Sequence, residues 1–154
     1  MTFEIRKIQA DDIDQVFNQM AELAKYGEIF HHFKLTKEKM QEDLFGVQAD
    51  WHGLVAASNE RVLGSCLYSF ANTNRAYHNT KTLFLDGLYI NPQQRSKNIG
   101  KKLINKIITI AKDHNIHRIE LWCLKDNSLA RNFYKELGAI ELDTLNVHRF
   151  NINV

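Results

Sequence analysis

The chain reads as one α/β domain over residues 1–154, with about seven strands and four helices in the order β-α-α-β-β-β-α-β-α-β-β. Three observations carry that reading. Apolar residues recur at helical spacing over 13–24 and 99–111, and alternate or run on through short β-rich stretches elsewhere. Turn-forming residues separate the two patterns, with no linker, repeat or low-complexity tract between them. A 44% apolar content with a single Pro supplies a core and excludes a disordered chain.

Taken in order, Phe3-Glu4-Ile5-Arg6-Lys7-Ile8 alternates as a strand does. Asp11 is a candidate N-cap for a helix bearing Ile13, Val16, Phe17, Met20, Leu23 and Ala24, with Gly27 as its stop. A loop over 28–33 leads to a shorter helix that starts at Thr36, carries Met40 and Leu44 on one face, and ends before Gly46. Trp51–Ala57 and Arg61–Phe70 form a hairpin about Ser58-Asn59-Glu60. The polar stretch Ala71–Thr80 is a long loop before a third hairpin strand at about 81–90. Asn91–Asn98 is again a loop, and Ile99, Leu103, Ile104, Ile107, Ile108 and Ala111 mark an amphipathic helix to about Asn115. Arg118–Leu124, apolar on both faces, reads as a central buried strand. Asp126 or Asn127 caps a last helix with Leu129, Phe133, Tyr134 and Leu137, stopped by Gly138. Ala139–Asp143 and Val147–Ile152 read as a closing pair of strands.

Composition removes several function classes. No apolar run approaches the about 20 residues of a membrane span, and the start alternates as a strand does instead of resembling a leader. Cys66 and Cys123 lack the spacing of a zinc site or a disulfide framework, so a soluble cytoplasmic protein without a metal is expected. The seven histidines, including His31-His32 and His114/His117, have no Cys or well-spaced carboxylate beside them and read as surface groups; Phe30, His31, His32 and Phe33 are alternatively an acceptor-pocket lining. Residues 1–60 hold six basic and eleven acidic side chains, whereas 61–154 hold fourteen and seven. Seven basic residues fall within 95–118 against one acid, Asp113. Such a cluster suits a solvated helix face, a phosphate-bearing ligand, an anionic membrane or a nucleic acid.

The segment 83–111 is the most informative. A polar loop feeding a helix N-terminus leaves backbone N–H groups unpaired at the positive end of the helix dipole, and Arg95, Lys97 and Lys101 add full charges there. This is an anion-binding device. Neither a dinucleotide G-x-G-x-x-G nor a P-loop is present, and no G-x-S-x-G or S-x-x-K supports a serine nucleophile.

Arg95-Ser96-Lys97-Asn98-Ile99-Gly100 resembles the [QR]-x-x-G-x-[GA] motif of the GNAT superfamily of N-acetyltransferases. Asn127-Ser128-Leu129-Ala130-Arg131-Asn132-Phe133-Tyr134-Lys135-Glu136-Leu137-Gly138-Ala139 resembles that superfamily's N-x-x-A-x-x-F-Y-x-x-x-G-[AF] signature. The two together, with a strand between them, are specific where each alone is degenerate. Glu22–Tyr26, Leu35-Thr36 with Glu42–Gly46, and Phe84-Leu85-Asp86 are similar to the diamine (spermidine/spermine) acetyltransferase branch, which also uses Arg at the position of Arg95. The chain departs from that branch at Asn98, where the superfamily's loop has a glycine. Asn is the side-chain-bearing residue most tolerant of a left-handed backbone. It departs again at Gly27 and in the loop 71–80, which lack the acids a polycation would want.

The resemblance implies a GNAT fold with a mixed, mostly antiparallel sheet, acetyl-CoA as co-substrate, and direct acetyl transfer to a primary amine of a diamine, polyamine or amino-acid-like molecule. It implies that the backbone of Leu88, Tyr89 and Ile90 pairs with the pantetheine arm, and that Leu88 or Tyr89 N–H polarises the thioester carbonyl. It places Arg95, Ser96, Lys97, Asn98, Ile99, Gly100 and Lys101 around the pyrophosphate, and Asn127 and Arg131 beside the pantetheine and adenosine; Arg131 reads equally as a solvated helix residue. Tyr134 is implied as general acid and a further cofactor contact, since phenols and thiols have comparable acidity. Asp86, a carboxylate in an apolar strand, matches a candidate base acting through water, with an ion pair as its alternative reading. Gly87 is read as a bulge beside it. Tyr26, Gly27 and Asp86 are the expected acceptor contacts. A homodimer is implied, with neither nucleic acid nor membrane as partner. The alternatives are an acyl-CoA-binding sensor without catalysis, an acetyltransferase of protein N-termini or lysines, and a nucleic-acid-binding protein whose affinity falls steeply with salt.

Overall fold

The alternation at the start of the chain forms β1 (Glu4–Lys7) in the computed structural model, which describes residues 2–26, 32–73, 76 and 79–152. A single 3-10 turn at Ala10–Asp12 then leads into α1 (Ile13–Tyr26), so the helix begins after Asp11. Asp12 organises this entry. Its carboxylate takes a two-point bond from Arg6 at 2.6 and 2.9 Å and accepts the Gln9 N–H at 2.8 Å, while its residue is almost fully buried. Burial alone would raise the Asp12 carboxyl, but the Arg6 hydrogen bonds, the Gln9 N–H and the Arg6 charge hold it below the ordinary carboxylate range.

Helix α2 (Lys37–Phe45) has the expected bounds: Thr36 Oγ1 accepts the Lys39 N–H at 3.1 Å, and Gly46 follows its last turn. The strands β2 (Trp51–Ser58), β3 (Arg61–Ala71) and β4 (Thr82–Ile90) form an antiparallel meander, with Asn59 at φ +53° in the first turn. After α3 (Ile99–Asp113), β5 (Ile119–Leu121) pairs parallel to β4, and α4 (Ser128–Glu136) follows. The sheet order is β1-β2-β3-β4-β5. The chain divides into two compact units, Met1–Trp122 and Cys123–Val154.

Strand alternation sorts the core of the first unit into two layers. Val55, Ala57, Val62 and Leu67 pack with Ile13, Val16, Met20, Met40 and Leu44 of α1 and α2. Leu54, Cys66, Leu83 and Leu85 point the other way and are buried with Leu103 and Ile107 of α3. Burial pushes the Cys66 thiol up to about 12, so that residue packs as an apolar group. A bulge in β3 leaves Leu63 without a cross-strand partner on β2, because Ala56 faces Gly64 while Ala57 faces Val62. Beside it, α1 supplies the missing hydrogen bonds. Gln15 Oε1 accepts the Val62 N–H at 2.9 Å, and Gln19 Nε2 donates to the Val62 carbonyl at 2.9 Å.

Five strands form among the described residues, where about seven were expected. The runs Ala139–Asp143 and Val147–Ile152 have β-favouring side chains, but an extended segment becomes a strand only when a neighbour takes up its N–H and C=O groups. No described residue does so, and Ile140, Leu142, Val147, Phe150 and Ile152 are exposed. Strand β5 is likewise shorter than the expected 118–124 and lies at the sheet edge, not at its centre. Trp122, just past the end of β5, packs edge-on against Phe84 at 5.3 Å and is largely exposed.

Removing Asp12 takes away two charged hydrogen bonds of a part-buried pair, while Arg6 keeps some solvent and Glu4 at 3.6 Å. Asp12→Ala is therefore expected to lower the unfolding free energy by about 1.5–3 kcal/mol in urea titrations at pH 7. The depressed Asp12 carboxyl contributes stability above its unfolded pKa and loses it as pH falls through its folded value. The gap between wild type and variant is thus expected to narrow as pH is lowered from about 5 toward 2.

Candidate active site

Strand β4 carries the decisive irregularity. Leu67 faces Gly87 and Tyr68 faces Leu85, so Asp86 is an extra residue with no partner on β3. The bulge thus falls at Asp86, beside the Gly87 where it was expected. Two consecutive residues of β4 consequently serve the same face. Gly87 lies under α1, where an added Cβ would meet Met20 Sδ at 3.1 Å. Asp86 Oδ2 accepts Trp51 Nε1–H at 2.9 Å and the Ser69 hydroxyl at 3.2 Å, and Trp51 packs against the α1–α2 core. The sequence alone gave no pointer to Trp51 or Ser69, which lie 35 and 17 residues from Asp86.

The Asp86 residue opens to solvent, while its carboxyl is turned toward Trp51 and Ser69 and partly desolvated. That desolvation pushes its pKa above the ordinary carboxylate value, against the two donors, which favour the charged form. No lysine or arginine pairs with it among the described residues. Tyr26 closes α1, and Gly27, Phe30 and His31 lie outside the described residues. Phe33 is taken up by the core, edge-on to Phe17 at 5.8 Å.

Beyond the bulge, β4 has one paired edge. Its register with β5 covers Leu83, Phe84 and Leu85, so Gly87–Ile90 meet no strand on that side among the described residues. The bond from Asn91 N–H to the Leu63 carbonyl at 3.0 Å sets the alternation. Tyr89 directs its backbone groups to β3, and Leu88 and Ile90 direct theirs to the open edge.

The loop after β4 runs through a short 3-10 turn at Pro92–Gln94 into α3. Asn98 is the N-cap at φ +62° and ψ +12°, the left-handed conformation expected of it, and Ser96 shares a positive φ of +63°. The Asn98 side chain makes no capping hydrogen bond, and no acid lies in the first turn of α3. Lys102 N–H is the first to reach a helical carbonyl, that of Asn98 at 3.0 Å, leaving Ile99, Gly100 and Lys101 N–H with none in the helix. Arg95, Ser96, Lys97 and Asn98 are exposed, with Lys97 Nζ on Gln94 Oε1 at 2.9 Å and Arg95 Nε on the Ile90 carbonyl at 3.4 Å.

The second unit carries the other residues singled out. Asn127 Oδ1 caps α4 by accepting the Ala130 N–H at 3.1 Å. Arg131 makes a two-point pair with Glu141 at 2.8 and 2.9 Å and donates to the Lys125 carbonyl at 2.9 Å. Tyr134 is half-buried, its ring edge-on to Phe133 at 5.2 Å. Among the described residues, no group of three or more His, Cys, Asp or Glu side chains is placed to hold a metal ion, and no helix is long and apolar enough to cross a membrane.

Residues 17–139 match the model of the acetyltransferase (GNAT) family. The chain belongs to the GNAT family of acetyltransferases. It is 30% identical over 146 residues to the thialysine N-epsilon-acetyltransferase of Mus musculus, covering 90% of this chain and 84% of that protein. It is 24% identical over 156 residues to the spermidine/spermine N(1)-acetyltransferase-like protein 1 of Homo sapiens, covering 97% of this chain but 22% of the longer human protein. The fold matches a crystal structure of a possible acetyltransferase from Clostridium difficile 630 with a TM-score of 0.81 at 25% identity, over the whole of both chains. The acetyltransferase thus shares the similarity to the diamine branch that its motifs suggested.

GNAT acetyltransferases use acetyl-CoA, and this donor set fits that group. An uncapped helix start with left-handed loop residues, flanked by lysines, suits a diphosphate. The unpaired outer edge of β4 suits an amide-bearing chain. The left-handed backbone at Asn98 makes a separate prediction. Asn98→Val is expected to cost about 1–2 kcal/mol relative to Asn98→Gly in thermal unfolding, because a branched Cβ clashes in that conformation.

Proposed function

We propose that this acetyltransferase acts on the primary side-chain amine of an amino-acid-like molecule, with Asp86 as base and Tyr134 as general acid. The observation that carries the acceptor class is a single carboxylate among the described residues of the site: Asp86 is the acid that Trp51 and Ser69 engage, and the sequence of the loop 71–80 contains none. One carboxylate matches one ammonium, whereas a polycation calls for several. The similarity to a thialysine N-epsilon-acetyltransferase over 90% of the chain supports the same reading.

When bound, acetyl-CoA supplies an activated acetyl thioester for attack by the amine. The outward N–H of Leu88 is the donor to the thioester carbonyl oxygen, and Ile90 adds a second outward-facing contact along the arm; Tyr89, turned to β3, holds the strand in place. The N–H groups of Ile99, Gly100 and Lys101, with Ser96 and Asn98 shaping the loop, hold the phosphates, and Arg95 and Lys97 add positive charge. Asp86 takes the ammonium proton through a water, leaving a neutral amine to form the C–N bond. Tyr134 Oη gives its proton to the departing sulfur. Asn127 caps the helix that carries Tyr134, and Arg131 pairs that helix with Glu141.

The proposal extends to a cytoplasmic homodimer. Free Cys66 and Cys123 are compatible with a reducing compartment, and the exposed apolar side chains of 140–152 are suited to cover by a second copy, which sedimentation would detect.

The test is thiol release from acetyl-CoA over a panel of thialysine, lysine, ornithine, putrescine and spermidine. An amino acid is expected to give the highest kcat/KM, and a preference for spermidine would overturn the acceptor class. Tyr134→Phe is expected to lower kcat by roughly a hundredfold with little change in acetyl-CoA affinity; an unchanged kcat removes the acid role. Because the Asp86 carboxyl is raised, the acid limb of the wild-type pH–rate profile is expected above the ordinary carboxylate range, and Asp86→Asn is expected to remove it.

A further inference from the structure

Asp86, left without a β3 partner by the bulge in β4, lies on the face of Trp51 and Ser69, where two donors from two other strands meet one of its oxygens. Trp51 Nε1–H, from the first residue of β2, and the Ser69 hydroxyl, from β3, both reach Oδ2, at 2.9 and 3.2 Å. Trp51 and Ser69 are themselves directly opposite in the β2–β3 register, so the two donors are set by the sheet and not by a loop. Oδ1 accepts a hydrogen bond from no described residue. A carboxylate whose one oxygen is held at two points has its rotation about Cβ–Cγ fixed, and its second oxygen faces a defined direction.

We propose that Trp51 and Ser69 are positioning residues for the reaction, holding Asp86 by Oδ2 so that Oδ1 is presented to the water that relays the proton of the acceptor amine. The inference rests on the reading of Asp86 as base. Neither residue belongs to the motifs that mark the family in this chain. A rigid indole and a short hydroxyl, both rooted in paired strands, lose little freedom when they make these bonds. They act on the carboxylate in two ways. They orient it, which bears on kcat, and they favour its charged form, which bears on the pH at which the base becomes available. The lysines on the helices of this face are already paired: Lys25 with Glu22 at 2.9 Å, Lys37 with Asp14 at 2.6 Å and Lys39 with Asp43 at 2.7 Å. Burial and the two donors therefore govern Asp86.

The arrangement also provides a spectroscopic handle, because the chain has two tryptophans and the other, Trp122, lies on the Phe84 edge. The experiment measures pH–rate profiles of wild type, Asp86→Asn, Trp51→Phe, Ser69→Ala and Ser69→Thr, and titrates Trp51 emission in a Trp122→Phe background with and without Asp86→Asn. Trp51→Phe keeps the ring against the core and removes only the N–H. It is expected to lower plateau kcat by roughly tenfold, leave the KM for acetyl-CoA unchanged, and move the acid limb to higher pH. Ser69→Ala is expected to do the same more weakly, with Ser69→Thr restoring the limb. Trp51 emission is expected to follow a titration that Asp86→Asn abolishes. If Asp86→Asn removes the acid limb while Trp51→Phe and Ser69→Ala leave both limb and kcat as in wild type, the positioning role is overturned and the base role stands. If Asp86→Asn itself leaves the limb in place, the base role fails and the positioning role falls with it.

Discussion

A β-strand has two edges, and among the described residues β4 has both paired over Leu83–Leu85 alone. The rest of the site follows from that constraint. A buried strand must satisfy its N–H and C=O groups, and β4 does so on its β3 side along nearly its whole length. On the other side pairing stops just before the extra residue, Asp86. The bulge ends one register, lets Asp86 and Gly87 both serve the α1–α2 face, and leaves Leu88 and Ile90 directing backbone groups outward. In a regular strand Gly87 would instead share the α3 face with Leu83 and Leu85, and Asp86 would have a residue of β3 opposite it.

The scaffold around β4 is fixed by polar contacts at points where the regular ladders fail. Arg6 and Asp12 lock β1 to the entry of α1 through a two-point pair, and the β3 bulge at Leu63 is completed by glutamines of α1. The Ser65 hydroxyl donates to Gln19 Oε1 at 2.6 Å, so the same glutamine that serves Val62 is held from behind. Small apolar residues fill the space between. Gly87 permits the approach of Met20 to the sheet, and this explains why the residue next to the bulge carries no side chain.

Much of this was legible in the residues because it is local. Thr36 and Gly46 bound α2 through bonds made within one turn, and Asn98 takes the left-handed conformation that its side chain tolerates. The β2–β3 hairpin announced itself through its short turn, and β4 through its apolar run after a long polar loop. Asp86 stood out in the sequence as a carboxylate in apolar surroundings, but its hydrogen-bond partners did not. Trp51 and Ser69 reach it only through the antiparallel register of three strands, which no motif encodes. The closing strands failed for a related reason: β propensity over 139–152 says what a segment tolerates, whereas pairing depends on an available neighbour. The length of β5 erred in the same direction, since a run that is apolar on both faces describes burial and not hydrogen bonding.

The glutamine contacts at Val62 have a dynamic consequence. A backbone amide in a hairpin ordinarily exchanges with solvent when its own strand pair opens. The Val62 amide is held by Gln15 and its carbonyl by Gln19, both from the first half of α1. Lifting that half of the helix takes both glutamine contacts from the Val62 backbone, and a buried group left unsatisfied costs about 1–3 kcal/mol. The start of α1 and the centre of the sheet thereby form one cooperative opening unit. Val62, although a strand residue, would keep time with the helix.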